Sequence, residues 1–139
     1  MDIRRFQSAD LPGVIALCAA EGWPSYPENP ARAGRALTAP GVTTVVALEA
    51  GRVIAFAQLL SDGEIQAYLA LIAVTPEHRR KGVARQLLDL ALGEAGGLRI
   101  DLITDSADGF YTALRNRRLS GYRIFPPFEP DPETDAKGG

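Results

Sequence analysis

Four cations fall within seven residues of this chain, at Arg79, Arg80, Lys81 and Arg85, with Gly82 among them. They lie in the stretch Val74-Thr75-Pro76-Glu77-His78-Arg79-Arg80-Lys81-Gly82-Val83-Ala84-Arg85. Basic side chains beside a glycine, at the point where a helix starts, are suited to holding an anion. The N–H groups of a first helical turn lack intrahelical partners, and the helix dipole adds partial positive charge there. Gly82 carries no Cβ to keep an anion off the backbone. The expected guest is a phosphate-bearing cofactor.

Such a site needs a strand to deliver the loop and a helix to receive it. Tyr68 to Val74 is an apolar run that reads as a central strand buried on both faces. Val83 to Ala95 places Val83, Ala84, Leu87, Leu88, Ala91, Leu92 and Ala95 on one helical face and ends at Gly96-Gly97. Leu98 to Ile103 then returns as a strand parallel to the first, through a right-handed crossover. Upstream, Asp2 to Phe6 reads as a short strand. A helix capped by Ser8 or Asp10 follows, carrying Leu11, Val14, Ile15, Leu17, Cys18 and Ala19. Gly22 to Pro30 reads as a loop and Ala31 to Leu37 as a short helix. Val42 to Glu49, Val53 to Leu60 and Ile65 to Val74 form an antiparallel meander turned at Ala50-Gly51 and Asp62-Gly63. Downstream, Asp108 is placed to cap a helix with Phe110, Tyr111 and Leu114, and Tyr122 to Phe125 reads as a last strand. A proline-rich, acidic tail is expected from 129 to 139, outside a single domain of residues 1–128.

Composition narrows the classes of function. A chain of 139 residues suffices for one self-supporting core. A net charge of −2 gives no global basic field for nucleic acid and no polybasic membrane signal, so the basic loop is a local feature. One cysteine and one histidine argue against a disulfide and a structural zinc site; no metal is expected, and the expected location is cytoplasmic. No apolar run approaches the ~20 residues of a membrane span. Cys18 reads as a small core residue and His78 as a surface residue of the loop.

The glycine-rich dinucleotide fingerprint and the P-loop both fail, because Gly82 stands without the companion glycines or the Gly-Lys-Ser/Thr they require. What the loop does contain is Arg79-x-x-Gly82-x-Ala84, preceded by Val74-x-Pro76, and further on Ala107-x-x-Phe110-Tyr111-x-x-Leu114. These resemble the two halves of the GNAT N-acetyltransferase pattern, Gln/Arg-x-x-Gly-x-Gly/Ala and Asn-x-x-Ala-x-x-Phe-Tyr. The resemblance runs from Ile3 to about Phe125.

That resemblance implies an α/β (α+β) fold: a mixed, mostly antiparallel sheet of about six to seven strands, flanked by about four helices, with a splayed parallel strand pair at its centre. It implies acetyl-CoA as cofactor, bound by the backbone of Ile72, Ala73 and Val74, by Arg79 and the loop Arg80, Lys81, Gly82, Val83, Ala84 and Arg85, and by Thr104 where the family has asparagine. The implied reaction is direct acetyl transfer to a primary amine of a small molecule or peptide. Tyr111 matches the tyrosine that donates to the departing CoA sulfur. Trp23, Tyr26 and Glu64 are candidates for the acceptor pocket. No general base is legible: Asp62, Glu64, Glu21, Glu28 and Tyr68 all qualify. Neither a nucleic-acid nor a membrane partner is expected, and a homodimer is compatible with so small a fold. Thr104 and the longer segment after Leu114 depart from the pattern and keep open a second reading, a catalytically weak acyl-CoA-binding or sensing module.

Overall fold

The computed structural model describes residues 1–105 and 108–127. One five-stranded sheet runs in the order β1 (Asp2–Arg5), β2 (Val42–Glu49), β3 (Arg52–Ser61), β4 (Gln66–Val74), β5 (Arg99–Asp101). The first three pairings are antiparallel and the last is parallel. Among the described residues five α-helices accompany it: α1 (Leu11–Glu21), α2 (Ser25–Glu28), α3 (Pro30–Leu37), α4 (Val83–Ala95) and α5 (Asp108–Thr112). No helix among the described residues is long and apolar enough to cross a membrane.

Each face of the sheet buries its own apolar cluster. On one face Val45, Ile54, Ala57 and Leu59 pack beneath Val83, Leu87, Leu88 and Ala91 of α4. On the other, Val46, Phe56, Leu71 and Ala73 pack beneath Val14, Leu17 and Cys18 of α1 and Leu37 of α3. Cys18 is fully buried, as its apolar neighbours in sequence suggested.

A register shift at Gln58/Leu59 leaves Ala70 as an extra residue in β4. The bulge reverses the alternation of side chains. Before it, Ala67 and Leu69 face α4; after it, Ile72 and Val74 do, while Leu71 and Ala73 join the α1 cluster. The expectation of burial on both faces is corrected accordingly: Tyr68, Ala70, Ile72 and Val74 are only half-buried.

The parallel pair is short. Only Gln66 to Tyr68 of β4 pair with Arg99 to Asp101 of β5, so among the described residues β4 has no paired strand on that side from Leu69 onward. This is the expected splay, and it opens the sheet at the C-terminal end of β4. The returning strand is correspondingly shorter than Leu98 to Ile103.

Three further expectations need correction. Gly22 to Pro30 is not wholly loop, since Ser25–Glu28 makes one helical turn. Tyr122 to Phe125 forms no strand: Tyr122 and Ile124 are almost fully exposed, and the short β5 offers little ladder to extend. The sheet among the described residues therefore has five strands rather than six or seven. Ala107 and the 129–139 tail lie outside the described residues.

Candidate active site

The splay of β4 and β5 forms one wall of a cleft of about 1050 Å³. β4 contributes Leu69 to Val74, the loop and α4 contribute His78, Arg79, Arg80 and Gly82 to Arg85, and the far wall is Leu102 to Asp105 with Gly109, Phe110 and Tyr111. Glu21 and Trp23, from the end of α1, close one side.

Backbone polarity gives this cleft its donors. The Thr75 N–H donates to the Ile54 carbonyl of β3 at 2.9 Å. By strand alternation, the N–H and C=O of Val74 and Ile72 point away from β3, towards the open edge. At the other end, Gly82 caps α4 with φ +80, a conformation suited to glycine. The first bond within α4 runs from the Gln86 N–H to the Gly82 carbonyl at 3.1 Å, so Val83, Ala84 and Arg85 keep N–H groups without intrahelical partners. A Cβ added at Gly82 would meet only the Gln86 amide, 4.0 Å away, so the glycine leaves open space before the helix. Arg80 is also held at positive φ (+62), a strained setting for a side-chain-bearing residue.

Arg79 reaches in two directions. Its Nε donates to the Val74 carbonyl at 3.0 Å and its Nη2 to Glu21 Oε1 at 3.0 Å. His78 is buried, contrary to the expectation of a surface residue. Its Nδ1 pairs with Thr75 Oγ1 at 2.8 Å and its Nε2 with the Glu49 carboxylate. The imidazole thereby ties the end of β2 to the loop after β4. The hydrogen bond from His78, with its charge second, holds the Glu49 carboxyl below its usual range. Sequence reading missed this strut; the Thr75-x-x-His78 spacing, one tight turn, was its only local signal.

Tyr111 is half-buried against the α4 cluster, its ring edge-on to Phe110 with centroids 5.0 Å apart. Burial pushes its phenol up to about 12. Thr104 lines the same wall. The cleft thus brings together Tyr111, Ile72, Ala73, Val74, Arg79, Arg80, Gly82, Val83, Ala84, Arg85, Thr104 and Trp23. Three sequence candidates are not among its lining residues. Lys81 lies on the loop between two that are. Tyr26 packs against the α1 cluster and donates to Gln58 Oε1 at 2.5 Å, a buried amide whose Nε2 reaches the Ala36 carbonyl. Glu64 lies in the β3–β4 turn, its N–H bound at 2.8 Å to the Asp62 carboxylate that organises that turn. Glu21, only one of several open choices for a base, does line the cleft.

Residues 5–114 match the acetyltransferase (GNAT) family. The fold is similar to a mutant protein from Bacillus halodurans (TM-score 0.74, 17% identity, covering 91% of this chain and 99% of that one). It is also similar to an aminoglycoside N-acetyltransferase in complex with CoA (TM-score 0.68, 20% identity, 90% and 100%). A third likeness is to ribosomal-protein-alanine N-acetyltransferase from Brucella melitensis biovar Abortus 2308 (TM-score 0.69, 20% identity, 90% and 99%). At these identities the likeness to solved structures concerns the fold alone. No curated protein matches the sequence.

Proposed function

The chain belongs to the acetyltransferase (GNAT) family, whose cofactor is acetyl-CoA, and on that premise we propose that it moves an acetyl group directly from acetyl-CoA to a primary amine of a small molecule or peptide. The observation that supports this most is a single one: the open edge of β4, the N-terminus of α4 and the Tyr111 phenol line one cleft. The residues present fit the cofactor. The first-turn amides of α4, with Arg79, Arg80 and Arg85, suit a diphosphate. The free edge of β4 at Ile72 and Val74 suits an amide-bearing arm, as an added strand would.

When bound, acetyl-CoA supplies an acetyl group activated as a thioester. Transfer forms a C–N bond and breaks a C–S bond; the amine loses a proton and the sulfur gains one. The protein's main contribution is to hold both reactants in one geometry. An outward N–H of Ile72 or Val74 polarises the reacting carbonyl. The Tyr111 hydroxyl, protonated at any working pH, donates a hydrogen bond to the departing sulfur. Trp23 forms part of the acceptor side.

The test is to incubate the protein with acetyl-CoA and a panel of primary amines and follow the appearance of free CoA thiol. Amine-dependent release is expected. The second reading, a cofactor-binding module with little turnover, draws on Thr104 in place of the family asparagine and on α5, five residues with no strand paired after it among the described residues. Tight CoA binding without thiol release from any amine would favour it over catalysis.

A further inference from the structure

Arg79 makes its two contacts at one place in the cleft. Nη2 meets the Glu21 carboxylate and Nε meets the outward-facing Val74 carbonyl, each at 3.0 Å. The guanidinium therefore joins the end of α1 to the end of β4, across the space that Trp23 and Tyr111 also line. Among the described residues, Arg79 is the sole ion-pair partner of Glu21. Glu21 is held in place by its surroundings: Gly22 ends α1 at φ +80, and the Trp23 N–H returns to the Cys18 carbonyl at 3.0 Å. Trp23 itself packs on the α1 cluster, and Glu21 and Trp23 both line the cleft.

A carboxylate and a carbonyl sharing one cation make a cation site, and the side chain filling it comes from the anion-binding loop. Among the described residues Arg79, Arg80 and Arg85 face the cleft together with two acidic side chains, Glu21 and Asp105. A diphosphate at the α4 N-terminus competes for Arg79 with more charge than one carboxylate and with oxygens matched to the guanidinium fork. Drawing Arg79 towards it leaves Glu21 and the Val74 carbonyl facing the cleft with no donor. Their replacement donor is an ammonium group, which carries three N–H donors and no acceptor. Trp23 offers an aromatic wall to the same cation.

We propose that Glu21 is the residue that recognises the acceptor, as an ammonium cation that gives up one proton to solvent before its nitrogen attacks the thioester, and that Arg79 occupies its place until phosphate on the loop draws the guanidinium away. The identity of the acceptor rests on the acetyl-transfer reading; the exchange of Arg79 between carboxylate and phosphate does not. Cofactor binding then raises the affinity for the amine, and by reciprocity the amine raises that for the cofactor.

Calorimetric titration with inorganic pyrophosphate, then with CoA, tests the exchange in wild type, Glu21→Gln and Arg79→Gln. Glu21→Gln is expected to bind both about two- to fivefold more tightly than wild type, because Arg79 no longer has an ion pair to give up. Equal or weaker binding overturns the exchange. Ethylamine at pH 7 then probes the cation site with and without saturating CoA. Wild type is expected to bind it more tightly with CoA, by a similar factor. Glu21→Gln is expected not to bind it, and Arg79→Gln to bind it independently of CoA. Ethylamine binding that ignores CoA in wild type, that persists in Glu21→Gln, or that is absent from wild type with CoA present overturns the assignment. Pyrophosphate exchange with no CoA binding would instead contradict the acetyl-transfer reading.

Discussion

At the scale of single residues the proposed chemistry turns on one phenol. Tyr111→Phe keeps the ring that packs on the α4 cluster and beside Phe110, and removes only the hydroxyl. A fall in kcat of roughly 10²- to 10⁴-fold, with little change in KM for acetyl-CoA, is expected in steady-state assays. Full retention of kcat would contradict the donor role. Cys18 shows burial acting on a group with no chemical role. Desolvation is the main cause that pushes its thiol up to about 12 from 9.0. The unfolded chain releases this proton from about pH 9, whereas the folded chain keeps it until about 12. Within that window the unfolded state binds fewer protons, so stability falls as pH rises. Urea denaturation at pH 8 and pH 10.5 should show about 2 kcal/mol more loss in wild type than in Cys18→Ala. Equal losses in the two proteins would show that the thiol is not desolvated.

Among the elements, the join between β4 and α4 matters most. Gly82→Ala puts a Cβ into open space before the helix, at a backbone angle that costs about 1 kcal/mol for a non-glycine residue. Its thermal stability should drop only slightly, while CoA affinity should fall more than tenfold because the methyl group stands where an anion would approach the amides. Affinity within twofold of wild type, measured by calorimetry, would show that no phosphate docks there. This join was legible in the sequence, because its strand, loop and helix each carry their own local pattern: apolar run, clustered cations with glycine, and a 3.6-residue period. The bulge at Ala70 was not legible. Leu69 to Val74 is uniformly apolar, so no polar residue marks the place where the faces exchange. His78 was misread for a different reason. Its burial depends on Glu49, distant in sequence and brought close only by the meander. Tyr122 to Phe125 read as a last strand, yet a strand needs a neighbour, and β5 is three residues long. Glu64 was drawn to the acceptor side by its place on a hairpin, but the fold puts that turn at the opposite end of β4 from Val74.

At the scale of the whole molecule, a chain of net charge −2 concentrates cations at one cleft. Attraction to a polyanionic cofactor is then local and open to screening. CoA affinity should fall severalfold between 50 mM and 500 mM salt, with no parallel binding of DNA or RNA at the lower salt. A salt-independent affinity would place the cofactor's phosphates away from Arg79, Arg80 and Arg85. The two clusters that clamp the sheet keep this cleft in shape: α4 is fixed on one face and α1 on the other, so the basic loop at the α4 N-terminus and the Glu21–Trp23 side are held by different cores. Both cores rest on β4, whose bulge exchanges which residues face each of them. The most direct test of the account is a calorimetric titration of acetyl-CoA into the protein. Saturable binding at one site per chain is predicted, together with thermal stabilisation of about 2.7 kcal/mol at a hundredfold excess over Kd. Absence of both heat and stabilisation at millimolar acetyl-CoA would contradict it.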